Sequence, residues 1–259
     1  MKKLSTLLVI LFLALSTTAQ DLTLFEKQVF VDGADTLQCR ILTPVNYKKG
    51  KKYPLVVFLH GSGERGSDNE KQLTWGAKLF LDSLNRARYP AIVVFPQCPI
   101  NTSWAVVRRG VKDSLLFGVN SDTVMSTPMR LVLKFVDNLS KEGHVDKKRV
   151  YIGGLSMGGM GTFDALARRP DLFAAAVPIC GAGDPKTIKN YRKGLPIWVF
   201  HGGADNVVPV SNSRRMVGEL TKVKAKVKYT EYPGVGHNSW ESAFAEPELL
   251  PWLFAQKKK

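Results

Sequence analysis

The sequence predicts an α/β domain: a mostly parallel twisted sheet, opened by an antiparallel hairpin, with helices on both faces. Three observations lead there. The runs at 54–59, 149–153 and 195–200 are short and almost continuously apolar, as strands buried on both faces must be. Helical patterns separate them, and strand–helix alternation is the signature of parallel pairing. Glycine-bearing turns follow each run, at 61–66, 153–161 and 202–203.

The elements follow in order along the chain. Lys2 and Lys3 precede the apolar stretch 7–15, and Ser16-Thr17-Thr18-Ala19 supplies small residues, so residues 1–19 are expected to be a cleaved secretory signal peptide. That stretch is too short to span a bilayer comfortably, and no other segment approaches a membrane span. Residues 28–31 and 37–42, joined across Asp32-Gly33-Ala34-Asp35, read as the hairpin. A helix is expected from Pro128 to about Ser140, capped by Thr127, because proline suits the first helical turn. Further strands are expected at 149–153, 195–200 and 226–232, with a last helix after residue 238. Alternation continues to residue 254 without linker or repeat, so residues 20–259 are expected to form one domain.

Composition narrows the chemistry. The net charge of +15 arises from 37 basic and 22 acidic residues. Most of the lysines are dispersed among acids, which reads as a solvated surface, although such a charge also draws a protein toward anionic polysaccharide or a cell surface. No nucleic-acid reader motif accompanies the charge, so a nucleic-acid partner is not expected. The terminal lysines 257–259 read as a disordered tail. Three cysteines cannot all pair; Cys98 and Cys180, each ending a strand-like run, read as small buried thiols, with a Cys98–Cys180 bridge as the alternative. The four histidines are scattered without ligand spacing, so no metal and no cofactor are expected.

The segment Gly154-Leu155-Ser156-Met157-Gly158 stands between a predicted strand and a predicted helix. A Gly-x-Ser-x-Gly there is a nucleophile elbow, in which a sharp turn lifts the serine hydroxyl clear of the sheet and flanking glycines avoid collision. A serine needs a base, and the base an orienting acid. Asp205 follows the strand 195–200, and His237 follows the strand 226–232, so both sit where open sheets place their sites. Asp184 and Glu231 are rival acids, one strand too early and within a strand respectively. Acyl transfer also needs oxyanion donors. The N–H of Met157 and the N–H of Ser62 are assigned, with Gly63 as fallback for the second. His60 and His201 are expected to stabilise their loops by hydrogen bonding.

The chain resembles the α/β-hydrolase superfamily, and within it the secreted predicted-peptidase, phospholipase/carboxylesterase and dienelactone-hydrolase-like esterases, relatives of feruloyl and acetyl-xylan esterases. The residues that carry the resemblance are the loop 59–66, Phe95-Pro96-Gln97-Cys98-Pro99 with Trp104, the stretches 153–161 and 170–181, the Asp205 loop, and Gly236-His237-Asn238-Ser239-Trp240. The resemblance implies a secreted or periplasmic serine carboxylic ester hydrolase acting through an acyl-enzyme on small, aryl or polysaccharide-linked esters. Trp104 and Trp240, on loops at the sheet's C-terminal edge, are candidate substrate contacts, while Trp75 and Trp198 read as structural. Residues 106–127 are a candidate lid, whose Arg108 and Arg109 are placed to meet a carboxylate. A prolyl-peptidase type of serine peptidase shares the triad but usually adds a gating domain, for which this sequence leaves no room. A non-catalytic carbohydrate-binding protein would be expected to have lost part of the triad. The sequence leaves oligomeric state open.

Overall fold

The computed structural model describes residues 21–109, 117–119 and 124–259. The expected leader and half of the candidate lid lie outside them. Among the described residues ten strands are formed: β1 (Glu26–Asp32), β2 (Asp35–Leu42), β3 (Tyr53–Leu59), β4 (Ile92–Gln97), β5 (Val107–Arg109), β6 (Phe117–Val119), β7 (Val145–Leu155), β8 (Ala175–Ile179), β9 (Pro196–Gly202) and β10 (Lys226–Tyr232). The helices are α1 (Ala77–Leu81), α2 (Ser83–Arg88), α3 (Thr127–Lys141), α4 (Met157–Arg168), α5 (Ser211–Lys222), α6 (Trp240–Phe244) and α7 (Leu249–Ala255).

Eight strands make the main sheet in the order β1-β2-β4-β3-β7-β8-β9-β10, and β5 pairs with β6 apart from it. The β1–β2 and β2–β4 pairs are antiparallel, and every later pair is parallel. The predicted fold class therefore stands. Strands β3, β4 and β8 are buried along their whole length, which explains their apolar sequence, broken only by Gln97 at the end of β4, whereas edge strands β1 and β10 are partly exposed and carry polar side chains. One apolar cluster packs α3, α4 and α5 on one face of the sheet, and a second packs α1, α6 and α7 on the other.

The hairpin turns at Gly33, whose φ of 64° suits glycine. Its register sets Asp32 opposite Asp35, a like-charge pair that Arg130 and Lys134 of α3 neutralise. The α3 cap lies one residue earlier than expected: Ser126 Oγ accepts the N–H of Met129 at 3.3 Å and donates to the carbonyl of Trp104 at 2.7 Å. The cap thus also fastens the loop after β4. The end of the chain corrects the expected disordered tail. Lys258 N–H donates to the carbonyl of Lys148 at 2.9 Å, and its Nζ donates to the carbonyls of Asp171 and Leu172. All three cysteines are buried free thiols, so the Cys98–Cys180 bridge is not formed.

Of the glycines, those where β7 turns into α4 are packed most tightly. A Cβ on Gly158 would stand 1.9 Å from the carbonyl oxygen of Leu59, and one on Gly154 would stand 2.5 Å from the carbonyl oxygen of Gly158. Gly218 in α5 is the reverse case, with nothing within 4 Å of its added Cβ. Gly158→Ala is expected to destabilise the fold by about 3 kcal/mol or more, because the obstacle is backbone that cannot move aside. Gly218→Ala is expected to stabilise by about 0.5–1 kcal/mol through helix propensity. Denaturant unfolding of both variants checks the pair; a neutral Gly158→Ala would contradict this packing.

Candidate active site

Ser156 stands between β7 and α4 with φ 54° and ψ −114°, a conformation that costs a non-glycine residue on the order of 1–3 kcal/mol. Its backbone is fixed on both sides: its N–H donates to the carbonyl of Ile179 at 2.9 Å, and its carbonyl accepts the N–H of Met160 at 3.0 Å. The turn points Oγ away from the sheet, and His237 Nε2 lies 2.9 Å from it. His237 Nδ1 lies 2.7 Å from Asp205 Oδ2. Ionised Asp205 only accepts, so Nδ1 carries the proton and the free lone pair of Nε2 faces the serine hydroxyl. The structure thus brings together Ser156, Asp205 and His237, which are separated by up to 81 residues in sequence.

Two strand ends make this approach possible. A Cβ on Gly202 would stand 2.1 Å from the carbonyl oxygen of Gly236, so only glycine lets the histidine loop close against β9. Gly203 and Ala204 then donate their N–H groups to the carbonyls of Tyr232 and Val235. The rival acids are occupied elsewhere. Glu231 pairs with Arg214 and accepts from Tyr229, and Asp184 accepts the N–H of Lys186.

Asp205 is buried at 7% exposure. Burial alone would push its carboxyl up, but hydrogen bonds from His201, His237 and the N–H groups of Val208 and Val207 outweigh it and hold the carboxyl well below the usual carboxylate range. His201 is the contributor whose partner the sequence does not identify. Its Nε2 lies 3.2 Å from Asp205 Oδ2 and 2.8 Å from the carbonyl of Val208, two acceptors that require a proton on that nitrogen. Its Nδ1 then accepts from the Ser213 hydroxyl at 2.7 Å. The four-residue spacing from His201 to Asp205 was the available signal.

The loop after β3 lies over the elbow: a Cβ on Gly61 would stand 2.8 Å from Leu155 Cδ1. Several bonds fix this loop. Arg65 Nε donates to the carbonyl of Ser62, Gly66 N–H to that of Cys98, and the Gln97 side chain bonds Asn69, Asp68 and Glu64. His60 anchors its start. The N–H of Cys98 donates to His60 Nε2 at 2.9 Å, so Nδ1 bears the proton and donates to the carbonyl of Gly61. Met157 opens α4, and an N–H in a first helical turn has no acceptor within the helix.

The aromatic residues divide differently from expectation. Trp104, expected to contact substrate, is fully buried; its Nε1 donates to the carbonyl of His60 at 3.0 Å and its ring packs against the His60 ring. A substrate cannot reach it, and the role is corrected to support of the loop. Trp240 is half-buried with its ring edge-on to His237 at 5.4 Å, and Trp75, read as structural, is half-buried 5.6 Å from Trp240. Trp198 is buried in β9, stacked on Phe200. Among the described residues, one group of His, Cys and acidic side chains gathers closely enough to suggest a metal: Cys180, Asp205 and His237, with ligand atoms within 4.8 Å. Asp205 and His237 already bond each other, and burial pushes the Cys180 thiol up, which keeps it protonated.

Burial lowers the pKa of His60 to about 4, Arg65 adding to the effect while the Gly61 carbonyl and Asp68 oppose it. Unfolding restores an ordinary value of about 6.5, so between these values the unfolded chain holds a proton that the native protein does not. Stability is therefore expected to be complete above pH 6.5 and to fall by about 3 kcal/mol from this residue as pH drops to 4. Asp205, whose folded carboxyl is depressed, loses its contribution only at lower pH. Urea unfolding at pH 7 and pH 4.5 tests this, and equal stability at both would contradict a neutral buried His60.

A family model described as phospholipase/carboxylesterase matches residues 42–247. A crystal structure of a thermostable esterase shares 38% identity and a TM-score of 0.83, covering 92% of this chain and 64% of that one. The bifunctional acetylxylan esterase/xylanase XynS20E of Neocallimastix patriciarum is 28% identical over 156 residues, 60% of this chain and 20% of that protein. Acyl-protein thioesterase 1 of Neurospora crassa is 26% identical over 208 residues, 71% of this chain and 80% of that protein. The chain thus spans a fifth of the first of these curated relatives and under two thirds of the thermostable esterase. Among the described residues no helix is long and apolar enough to cross a membrane. With the elbow, the parallel sheet and a match over four fifths of its length, the chain belongs to the phospholipase/carboxylesterase family and has the α/β-hydrolase fold.

Proposed function

We propose that the protein is a secreted carboxylic ester hydrolase in which Ser156, His237 and Asp205 form the catalytic triad. The observation that carries the reading is the unbroken hydrogen-bond chain from Asp205 through His237 to Ser156. Ser156 Oγ attacks the ester carbonyl while His237 Nε2 takes its proton. Asp205 holds the ring and balances the imidazolium charge. The oxyanion is received by the N–H groups of Met157 and Ser62, and the start of α4 favours negative charge there. Collapse expels the alcohol, which leaves with the proton from His237, and Ser156 retains the acyl group. Water, deprotonated by His237, then releases the acid and restores the serine.

Trp240 beside His237, backed by Trp75, offers an apolar wall for an aryl or sugar-bearing ester, and the resemblance to feruloyl and acetyl-xylan esterases supports small, aryl or polysaccharide-linked substrates. The charged, apolar and small order of residues 1–19 supports export with cleavage after Ala19. A thioester reading is favoured by the match to a thioesterase over 80% of that protein's length. The same triad would serve it, since the thiol is the better leaving group.

Ser156→Ala and His237→Ala are each expected to lower kcat about 10⁴–10⁶-fold with the fold retained, because nucleophile and base act as a unit. Asp205→Asn is expected to lower it about 10⁴-fold by releasing the wrong tautomer, whereas Asp184→Asn leaves it nearly unchanged. Hydrolysis of nitrophenyl esters of rising chain length, methyl ferulate, acetylated xylan and an acyl thioester reads both mechanism and preference. An active Ser156→Ala enzyme would sink the assignment.

A further inference from the structure

The high net charge is not spread evenly. At the N-terminal edge of the parallel strands, opposite the site, lies a groove of about 680 Å³. Its walls carry Lys147 and Lys148 from early β7, Arg192 and Lys193 before β9, Lys226 opening β10, and the lysine run 257–259, against a single acid, Asp171. None of these lysines is paired with a carboxylate among the described residues. The terminal lysines belong to the wall because Lys258 is fastened to the carbonyls of Lys148, Asp171 and Leu172. Burial first, and then Arg192 and Arg169, push the Lys258 ammonium down, while Asp171 opposes them.

We infer that this basic groove binds an anionic polysaccharide and holds the enzyme on a charged polymer while the opposite edge hydrolyses esters. The chemistry of the lining selects that occupant. Seven of its eight cations are lysines, point charges that suit carboxylates or sulfates repeated along a chain rather than a planar bidentate partner. No aromatic side chain lines the groove, so bases of a nucleic acid would find no stacking platform. No exposed large apolar side chain borders it either, so a bilayer would gain no insertion there. Strands β9 and β10 are seven residues each, about 23 Å of extended chain, which separates groove from triad enough for both to be occupied. The proposal concerns binding and stands apart from which ester is cleaved.

The full chain is to be tested for retention by polygalacturonate and by heparin, with neutral xylan, duplex DNA and phosphatidylglycerol vesicles as comparisons. Binding to at least one anionic polysaccharide is expected, weakening at least about tenfold between 50 and 300 mM salt. The first polymer reports carboxylate recognition and the second sulfate recognition. Lys147→Glu/Lys193→Glu/Lys226→Glu, all at exposed positions, is expected to weaken it at least about tenfold while leaving thermal unfolding and nitrophenyl acetate hydrolysis unchanged. Equal binding by the triple variant, no binding to either polymer, or tighter binding to DNA or vesicles would overturn the proposal. Loss of ester hydrolysis by the wild type with binding intact would count against the triad reading alone.

Discussion

The carbonyl oxygen of Leu59 lies where a side chain at position 158 would begin, and the carbonyl of Gly158 lies against Gly154 in the same way. This contact between backbones lets β7 end in a turn tight enough to hold Ser156 at φ 54°, while β3 ends beside it. The strain is of the order of 1–3 kcal/mol and is distributed over hydrogen bonds to Ile179 and Met160 and over the buried neighbouring strands. Everything else at the site is arranged around that fixed hydroxyl. A larger residue at either glycine would separate the serine from the loop expected to supply an oxyanion donor.

The three histidines at the ends of β3, β9 and β10 solve related problems with different protonation chemistry. His60 is buried and neutral, and its two nitrogens join the ends of β3 and β4. His201 donates to Asp205 Oδ2, and His237 donates to the same oxygen. Asp205 therefore receives four hydrogen bonds and stays ionised although buried, which keeps His237 in the tautomer a general base needs.

The features legible in the sequence are those set locally. Strand runs, the Gly-x-Ser-x-Gly turn and the Ser-Asp-His order follow from short-range pattern, and they located Ser156, Asp205 and His237. Trp104 was misplaced because its burial depends on His60, 44 residues away, and on Gly161, whose missing side chain makes room for it. The contact of Trp75 with Trp240 likewise arises only on folding, and Trp75 packs against the apolar core as its structural reading expects. The α3 cap moved from Thr127 to Ser126 because Ser126 also bonds Trp104. The terminal lysines looked like a tail because a backbone bond to Lys148 leaves no trace in composition.

In the proposed mechanism Ser156 is made nucleophilic by His237 held on Asp205. Treatment with a fluorophosphonate, followed by mass spectrometry of the digested protein, tests it most directly. One adduct per chain is predicted on the peptide containing Ser156, formed at least about 10³-fold more slowly in His237→Ala. Labelling at another residue, or an unchanged rate without His237, would rule out this triad.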